Sequence, residues 1–320
     1  MHSSKLDIIG DIHGHADVLE QLLLELGYKR ELFHNWSHPD GRKILFLGDY
    51  IDRGPKIRET IHIVRSMCEN DNAIALMGNH EHNAVCMETL GEDGEYLRER
   101  SEKNVRTTTA TRNQFQGKTK EWLSHIEWFK SLHFALDFGD LRTVHACWDK
   151  SAFETLQGKS LADHEVLMQS SNKNHPYGKS VLRLLNGPEL HLPPGVEYPD
   201  KEGTLRNTVR VRWWDVEKGM NLGECIFPKP NLQVDKTVEQ RHVNQINFYP
   251  QEDPLVCFGH YWLDPDRNPM IKNNIVCLDL SIAKHGKLAC LRNSTNPEGR
   301  EFVVVTPQKT ISHHSQPHLT

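Results

Sequence analysis

The sequence predicts an α/β fold built on parallel strands, and three observations predict it. Short β-prone, apolar runs recur at residues 5–9, 43–47 and 73–77. Each ends in a Gly-led polar loop: Gly10-Asp11-Ile12-His13-Gly14, Gly48-Asp49-Tyr50-Ile51-Asp52-Arg53-Gly54 and Gly78-Asn79-His80-Glu81. Helical patterns follow the loops, so the unit strand, loop, helix occurs three times in the first ninety or so residues. Such a series implies parallel strands with right-handed crossovers. In sheets of that kind ligands gather outside the carboxyl ends of the strands, where all three loops fall.

In chain order, Val18, Leu19, Leu22, Leu23 and Leu26 recur at helical spacing after the first loop and should face the sheet. A second helix should begin near Pro55, since proline suits an early helical position. Residues 82–132 read as mostly helical and end in an amphipathic stretch around Trp122, Leu123, Ile126, Trp128 and Phe129. A hairpin follows, 134–138 with 141–144, turning at Gly139-Asp140 and ending at His145. From 150 to 254 the character changes. Apolar periodicity weakens, and Leu192-Pro193-Pro194-Gly195 and Pro228-Lys229-Pro230 break any long element. This stretch reads as a substrate-facing insertion in a single domain spanning 1–308. Strand signals return at 255–258, 275–280, 287–291 and 302–305, spaced as for an antiparallel meander. Residues 309–320 read as a disordered tail, and His313, His314 and His318 within it are not taken as a metal site.

The chain's 320 residues are enough to bury a sizeable core. A net charge of −5 and the absence of a long basic block argue against a general nucleic-acid binder. The first residues run almost directly into a strand, which leaves no room for a signal peptide. No apolar stretch approaches the roughly eighteen residues needed to span a bilayer. Seven cysteines, at 68, 86, 147, 225, 257, 277 and 290, form no C-x-x-C pair and read as reduced core thiols, which suits the cytoplasm.

The loops carry recognisable chemistry. In Asp11-x-His13, residues two apart in an extended segment point the same way, so both can reach one ion. The three motifs, thirty to forty residues apart and in this order, resemble those of the binuclear metallophosphoesterases. The similarity is to the branch holding the Ser/Thr protein phosphatases and bacterial diadenosine tetraphosphatases. It covers roughly residues 5–148 and 255–292. It implies two mixed β-sheets packed as a sandwich flanked by helices (α/β/β/α). It also implies two divalent metals, about 3.5–4 Å apart, and a metal-bridging hydroxide that attacks phosphorus in line. By this resemblance Asp11 and His13 bind one metal, Asp49 bridges both, and Asn79, His145 and His260 bind the second. His145 resembles the family's strand-ending His-Ala, and His260 its Gly-His after an apolar strand. Two divalent ions outweigh the carboxylates of Asp11 and Asp49 and a hydroxide, so the cluster still attracts a phosphate dianion.

The same resemblance makes His80 the general acid, with Asp52 as its carboxylate partner. Arg53 becomes a phosphate clamp whose planar fork grips two phosphoryl oxygens. Asn79 also lies at the phosphate. Arg206, Arg210 and Arg212 compete for a second clamp. Arg212 is preferred because 209–215 reads as an alternating strand rim beside Trp213 and Trp214, which read as packing. Glu81, His15 and His82 beside the ligands read as support. The segment Ile275-Val276-Cys277-Leu278-Asp279 with Gly286-Lys287-Leu288 looks like the closing hairpin of the bacterial enzymes. Two positions depart: Cys147 stands where relatives carry Gly, and Asp279-Leu280-Ser281 replaces their Asp-Thr-Gly. Mn²⁺ is the expected metal, although Fe or Zn fits the same donors.

The expected activity is metal-dependent hydrolysis of phosphate esters or anhydrides. Its substrate is a nucleotide or a phosphoprotein, the latter phosphorylated on Ser, Thr or Tyr; no stable nucleic-acid or membrane partner is expected. A catalytically silent phosphate or nucleotide sensor is a reading from another class, which a missing ligand or acid would favour. A nuclease or cyclic phosphodiesterase is disfavoured by the Gly48–Gly54 motif with Asp52 and Arg53.

Overall fold

The computed structural model describes residues 3–192, 197–199, 205–228, 237–246 and 249–307. The expected tail at 309–320 lies outside these, as do the chain breaks at 193–195 and 229–230.

Strands β1 (Leu6–Ile9), β2 (Lys43–Phe46) and β3 (Ala73–Ala75) pair in parallel, side by side in that order. Their side chains are nearly all buried because helices cover the sheet, which is why these runs read as continuously apolar. Between the strands lie α1 (Ala16–Glu25) and α2 (Ile57–Glu69). The predicted face of α1, Val18, Leu19, Leu22 and Leu23, is buried as expected. The second helix starts two residues past Pro55, at Ile57. Helix α3 (Asn79–Glu88) opens directly on the third loop, and α4 (Glu102–Thr107), α5 (Thr109–Gln114) and α6 (Thr119–Lys130) follow. On α6, Ile126 and Phe129 are buried but Leu123 is exposed.

The predicted hairpin forms as β4 (Ala135–Asp137) and β5 (Leu141–Val144) and belongs to a second sheet. Then come β6 (Leu255–Phe258), β7 (Met270–Lys272) and β8 (Ile275–Cys277), in the sheet order β7-β8-β6-β5-β4. The chain returns to the first sheet with β9 (Asp279–Leu280), β10 (Lys287–Arg292) and β11 (Glu301–Val305). Strand β10 runs antiparallel to β1, so both sheets are mixed, and one hydrophobic cluster draws on both.

The C-terminal strands are not one antiparallel meander. β6 runs parallel to both β5 and β8, because the short β7–β8 hairpin reverses the chain before β8 aligns. The run 275–280 then divides after Cys277 and sends Asp279 to the other sheet. The difference has a functional consequence. Since β5 and β6 are parallel, their carboxyl ends, and the histidines beyond them, leave the sheet together.

The stretch from 150 is more regular than its composition suggests. It contains α7 (Lys150–Leu156), α8 (His164–Gln169) and α9 (Pro176–Asn186), and α9 buries Val181, Leu184 and Leu185. The expected rim strand over 209–215 ends at Arg210, and Trp213–Asp215 forms a 3-10 turn. Alternation would have turned one tryptophan outward; instead Trp213 and Trp214 are both buried, against Phe258. All seven cysteines are free, and all but Cys68 are buried. Among the described residues no helix is long and apolar enough to cross a membrane.

Candidate active site

The three N-terminal loops are tied to each other through main chain and one carboxylate. The N–H groups of Ile12 and His13 donate to the Asp49 carbonyl at 3.1 and 2.8 Å. Glu81, wholly buried, accepts from the N–H of Asp49 and of Tyr50 at 2.8 Å each, and from Gly78 at 3.0 Å. Its place beside Asn79 and His80 predicts only support; the structure makes it a fastener between the second and third loops. Burial and the Asp49 charge push its carboxyl up to about 7. His13, Asp49, Asp52, Arg53 and His260 all have left-handed backbone, half of the ten such non-glycine residues described. Strain of this kind persists only where surroundings impose it, and it concentrates at functional sites.

Two groups of donors meet at Asp49. Ligand atoms of His13, Asp49 and His80 lie within 4.8 Å of one another, and so do those of Asp49, His145 and His260. Asn79 joins the second group, its Oδ1 lying 3.1 Å from His145 Nε2. Asp11 stands beside both, accepting the His260 N–H at 3.0 and 3.2 Å. Its approach requires Gly259, where a Cβ would lie 2.0 Å from Asp11 Oδ1. The Gly259 N–H in turn donates to the His145 carbonyl, so β5 and β6 deliver their histidines as one unit.

These donors fit a pair of divalent cations. A carbonyl can only accept, so His145 Nδ1, 2.8 Å from Leu47 O, and His13 Nδ1, 2.9 Å from Ile51 O, carry the protons. The Nε2 lone pairs are thereby aimed at Asp49, 3.5 Å away in each case. His260 Nε2 is buried without any hydrogen-bond partner among the described residues, a ring nitrogen with room to serve an ion. Burial pushes His13 and His260 well below the usual imidazole range and lowers His145 too, favouring the neutral, metal-binding form. Burial together with the charges of Asp279 and Asp49 drives the Asp11 carboxyl up, as expected where carboxylates crowd without a cation. Burial works against Asp49 as well, but the imidazoles of His145, His80, His13 and His260 outweigh it and keep that carboxyl low.

His80 behaves differently from the other histidines. Its Nδ1 is 2.6 Å from Asp52 Oδ2, and its Nε2 faces Arg53 Nη2 at 3.3 Å and Asp49 Oδ2 at 3.8 Å. Burial alone would lower it, yet Asp49 and the hydrogen bond and charge of Asp52 raise it. Asp52 is anchored from outside the motifs. Thr111 on α5 donates its hydroxyl to Asp52 Oδ1 at 2.5 Å and accepts the Asp52 N–H at 3.0 Å. No sequence signal marked this residue, 59 positions away.

Arg53 is exposed at the mouth of the cluster. Arg212 is placed elsewhere: it donates to the Glu224 carbonyl and pairs with Asp215 at 3.6 Å. Arg210 is the arginine whose charge bears on both His145 and His260, with its guanidinium 5.9 Å from the Tyr261 ring. The Cys147 thiol is buried and contacts the Trp148 carbonyl. A third donor group, His62, Glu121 and His125, shares no residue with the other two. There Arg58 donates to both Glu121 oxygens and His62 lies 3.0 Å from one, an ion-pair network joining α2 to α6.

The family model described as calcineurin-like phosphoesterase matches residues 4–208. The asymmetrical bis(5′-nucleosyl)-tetraphosphatase PrpE of a Geobacillus species is 43% identical over 81 residues, 24% of this chain and 31% of the relative. The protein of the same name from Halalkalibacterium halodurans is 43% identical over 76 residues, 24% of this chain and 30% of the relative. The matched part of the chain thus spans about a third of the length of these curated relatives. Among solved structures, a cold-active protein-tyrosine phosphatase from a psychrophilic Shewanella overlays with a TM-score of 0.46 at 17% identity, covering 93% of this chain and 79% of that one.

Proposed function

Since the chain belongs to the calcineurin-like phosphoesterase family, we propose that it hydrolyses phosphate esters or anhydrides with two divalent metals, Mn²⁺ being our choice. The observation that carries this reading is the sharing of Asp49 by two buried donor groups, one with His13 and His80 and the other with His145 and His260, and the hold of Asp52 on His80. Asp11, His13 and Asp49 would hold one ion; Asp49, Asn79, His145 and His260 would hold the other. When bound, such ions polarise phosphoryl oxygens and bring the pKa of coordinated water toward about 7.

The chain's own groups supply the rest. Asp52 fixes the His80 ring so that Nε2 faces the cluster, and the raised affinity for a proton suits an acid that protonates the leaving oxygen. When His80 is charged, its Nε2 and Arg53 Nη2 are both donors, 3.3 Å apart. Two donors that close demand an acceptor, and a phosphoryl or leaving oxygen supplies it. Arg210 is the better second clamp, because Arg212 is engaged by Glu224 and Asp215.

For the substrate, the names of the relatives support a dinucleoside polyphosphate over a phosphoprotein. The filled ligand set and the held acid favour an enzyme over a silent sensor. The free cysteines suit a reducing, cytoplasmic setting. Asp49→Asn tests the central claim. The metals contribute several kcal/mol of charge stabilisation, so Mn²⁺-dependent hydrolysis of an aryl phosphate should fall at least about 10³-fold. Unchanged turnover would overturn the site assignment.

A further inference from the structure

A cavity of about 600 Å³ lies between α3 and α9, and none of the chemistry above uses it. Its volume is in the usual range for a ligand pocket. Three of its walls trace directly to second-metal ligands. Asn83 lines it from α3, one helical turn beyond Asn79. Helix α9 lines it with Lys179 and Arg183, and the Leu184 carbonyl of that helix accepts the N–H groups of Ala146 and Cys147, just after His145. Gly187 lines it against Tyr261, the neighbour of His260; a Cβ there would lie 2.0 Å from the tyrosine oxygen.

The cavity is strongly positive within a chain of net charge −5. Arg98, Lys173, Lys179 and Arg183 line it, with Glu189 the one acid among the described residues. Most of this charge is unspent. Lys173 and Lys179 are exposed, and among the described residues no ion pair involves either of them or Arg98. Arg183 pairs with Asp149 at 3.4 Å and donates to the Gln245 carbonyl, yet its Nη1 is buried with no partner among the described residues. A buried guanidinium nitrogen without an acceptor is costly, and like charges gathered around one cavity repel. A multiply charged anion in the cavity relieves that repulsion. Among the described residues no Phe, Tyr or Trp lines the cavity, and its four cationic side chains outnumber the single imidazole of His82, so it is built for charge more than for stacking a base.

We propose that this cavity binds the phosphate chain of an extended phosphoanhydride substrate, beyond the phosphorus under attack, and that it senses the number of phosphates and not the base. The proposal rests on the phosphohydrolase reading and deepens it.

The double variant Lys173→Ala/Lys179→Ala tests it, since both side chains are exposed and their loss leaves the core intact. With Mn²⁺, KM for diadenosine tetraphosphate should rise about 10-fold with kcat nearly unchanged, while p-nitrophenyl phosphate turnover stays at the parent value. In the parent protein, diguanosine and diadenosine tetraphosphates should have KM values within about 2-fold of each other. A double variant whose tetraphosphate KM equals the parent's overturns the proposal, as does a strong preference for one base. If the parent cleaves the aryl phosphate or a phosphopeptide but no tetraphosphate, the proposal falls while the phosphohydrolase reading stands. If it cleaves none of them, both fall.

Discussion

The two sides of the metal cluster are held by opposite means. On one side His13, Asp49, Asp52 and Arg53 come from loops close together in sequence, bent through left-handed backbone with φ of 45°, 55°, 65° and 67°. Each such residue costs on the order of 1–3 kcal/mol. The cost is offset by local fastenings, above all the four main-chain N–H groups that converge on Glu81. On the other side His145 and His260 stand at the ends of parallel strands more than a hundred residues apart in sequence, joined by the Gly259 N–H to the His145 carbonyl. His260 shares the left-handed backbone, with φ of 62°, but long-range packing positions both histidines, and the Trp213 indole donates to the Ala146 carbonyl next to His145. The first side is therefore brittle toward small local changes. The second is distributed over a large core and should yield gradually.

The largest expected effect breaks the first side at its tightest point. A Cβ on Gly78 would lie 2.2 Å from Asp49 Oδ1 and 2.3 Å from the Asp49 N, and the second of these is backbone that cannot rotate away. Gly78→Ala should destabilise the fold by up to about 3 kcal/mol. It should also cut aryl phosphate turnover by at least about 10²-fold, since a shift of roughly 1 Å at the bridging carboxylate misplaces both donor groups. Urea unfolding and steady-state kinetics read the two effects separately. Parent-like turnover in a folded variant would show that the first side can flex, and would dissolve the contrast.

Thr111→Val sharpens the contrast from within the first side, because it removes the one anchor of Asp52 that comes from outside the loops. The variant loses both the 2.5 Å bond to Asp52 Oδ1 and the acceptor for the Asp52 N–H. With Asp52 loosened, His80 is held less firmly as the acid. Loss of part of general-acid catalysis should lower kcat about 10-fold for phenyl phosphate, whose leaving group needs the proton. For p-nitrophenyl phosphate, a good leaving group, the loss should be less than about 3-fold. Equal losses on both substrates would mean that Thr111 supports the metal donors and not the acid.

The same contrast explains what the sequence could disclose. The clustering of Asp11, His13, Asp49, Asp52, Arg53, Asn79 and His80 in three Gly-bracketed turns was legible in the sequence itself, while the role of each came from the family resemblance. His145 and His260 were legible only through resemblance to a family, as strand-end histidines in the right order. The parallel pairing of β5 with β6 was not legible. Strand spacing is compatible with a meander, and only the intervening β7–β8 reversal selects the alternative. Thr111 was invisible for a similar reason, since it reaches the site through tertiary contact and lies in no local pattern, and Arg210 stood only as one of three arginines that local pattern could not rank correctly. Arg212 drew attention through an alternation that ends at Arg210, where the chain turns to bury both tryptophans.

The smallest expected effect lies on the second side, at Trp213. This side chain is fully buried, and its Nε1–H donates to the Ala146 carbonyl at 3.0 Å, one residue past His145. Trp213→Phe keeps a flat ring against Phe258 and Tyr249 but leaves that carbonyl without this donor. An unsatisfied buried acceptor costs about 1–3 kcal/mol, and the lost ring volume adds to it, so the midpoint of urea unfolding should fall with an unchanged slope. Turnover should fall less than about 3-fold. The reason is redundancy: His145 is also fixed by its Nδ1–H to Leu47 O, and the strand behind it by the Leu184 carbonyl on Ala146. A variant of parent stability that had lost about 10²-fold in kcat would place Trp213 in direct control of His145. The second side would then be as brittle as the first.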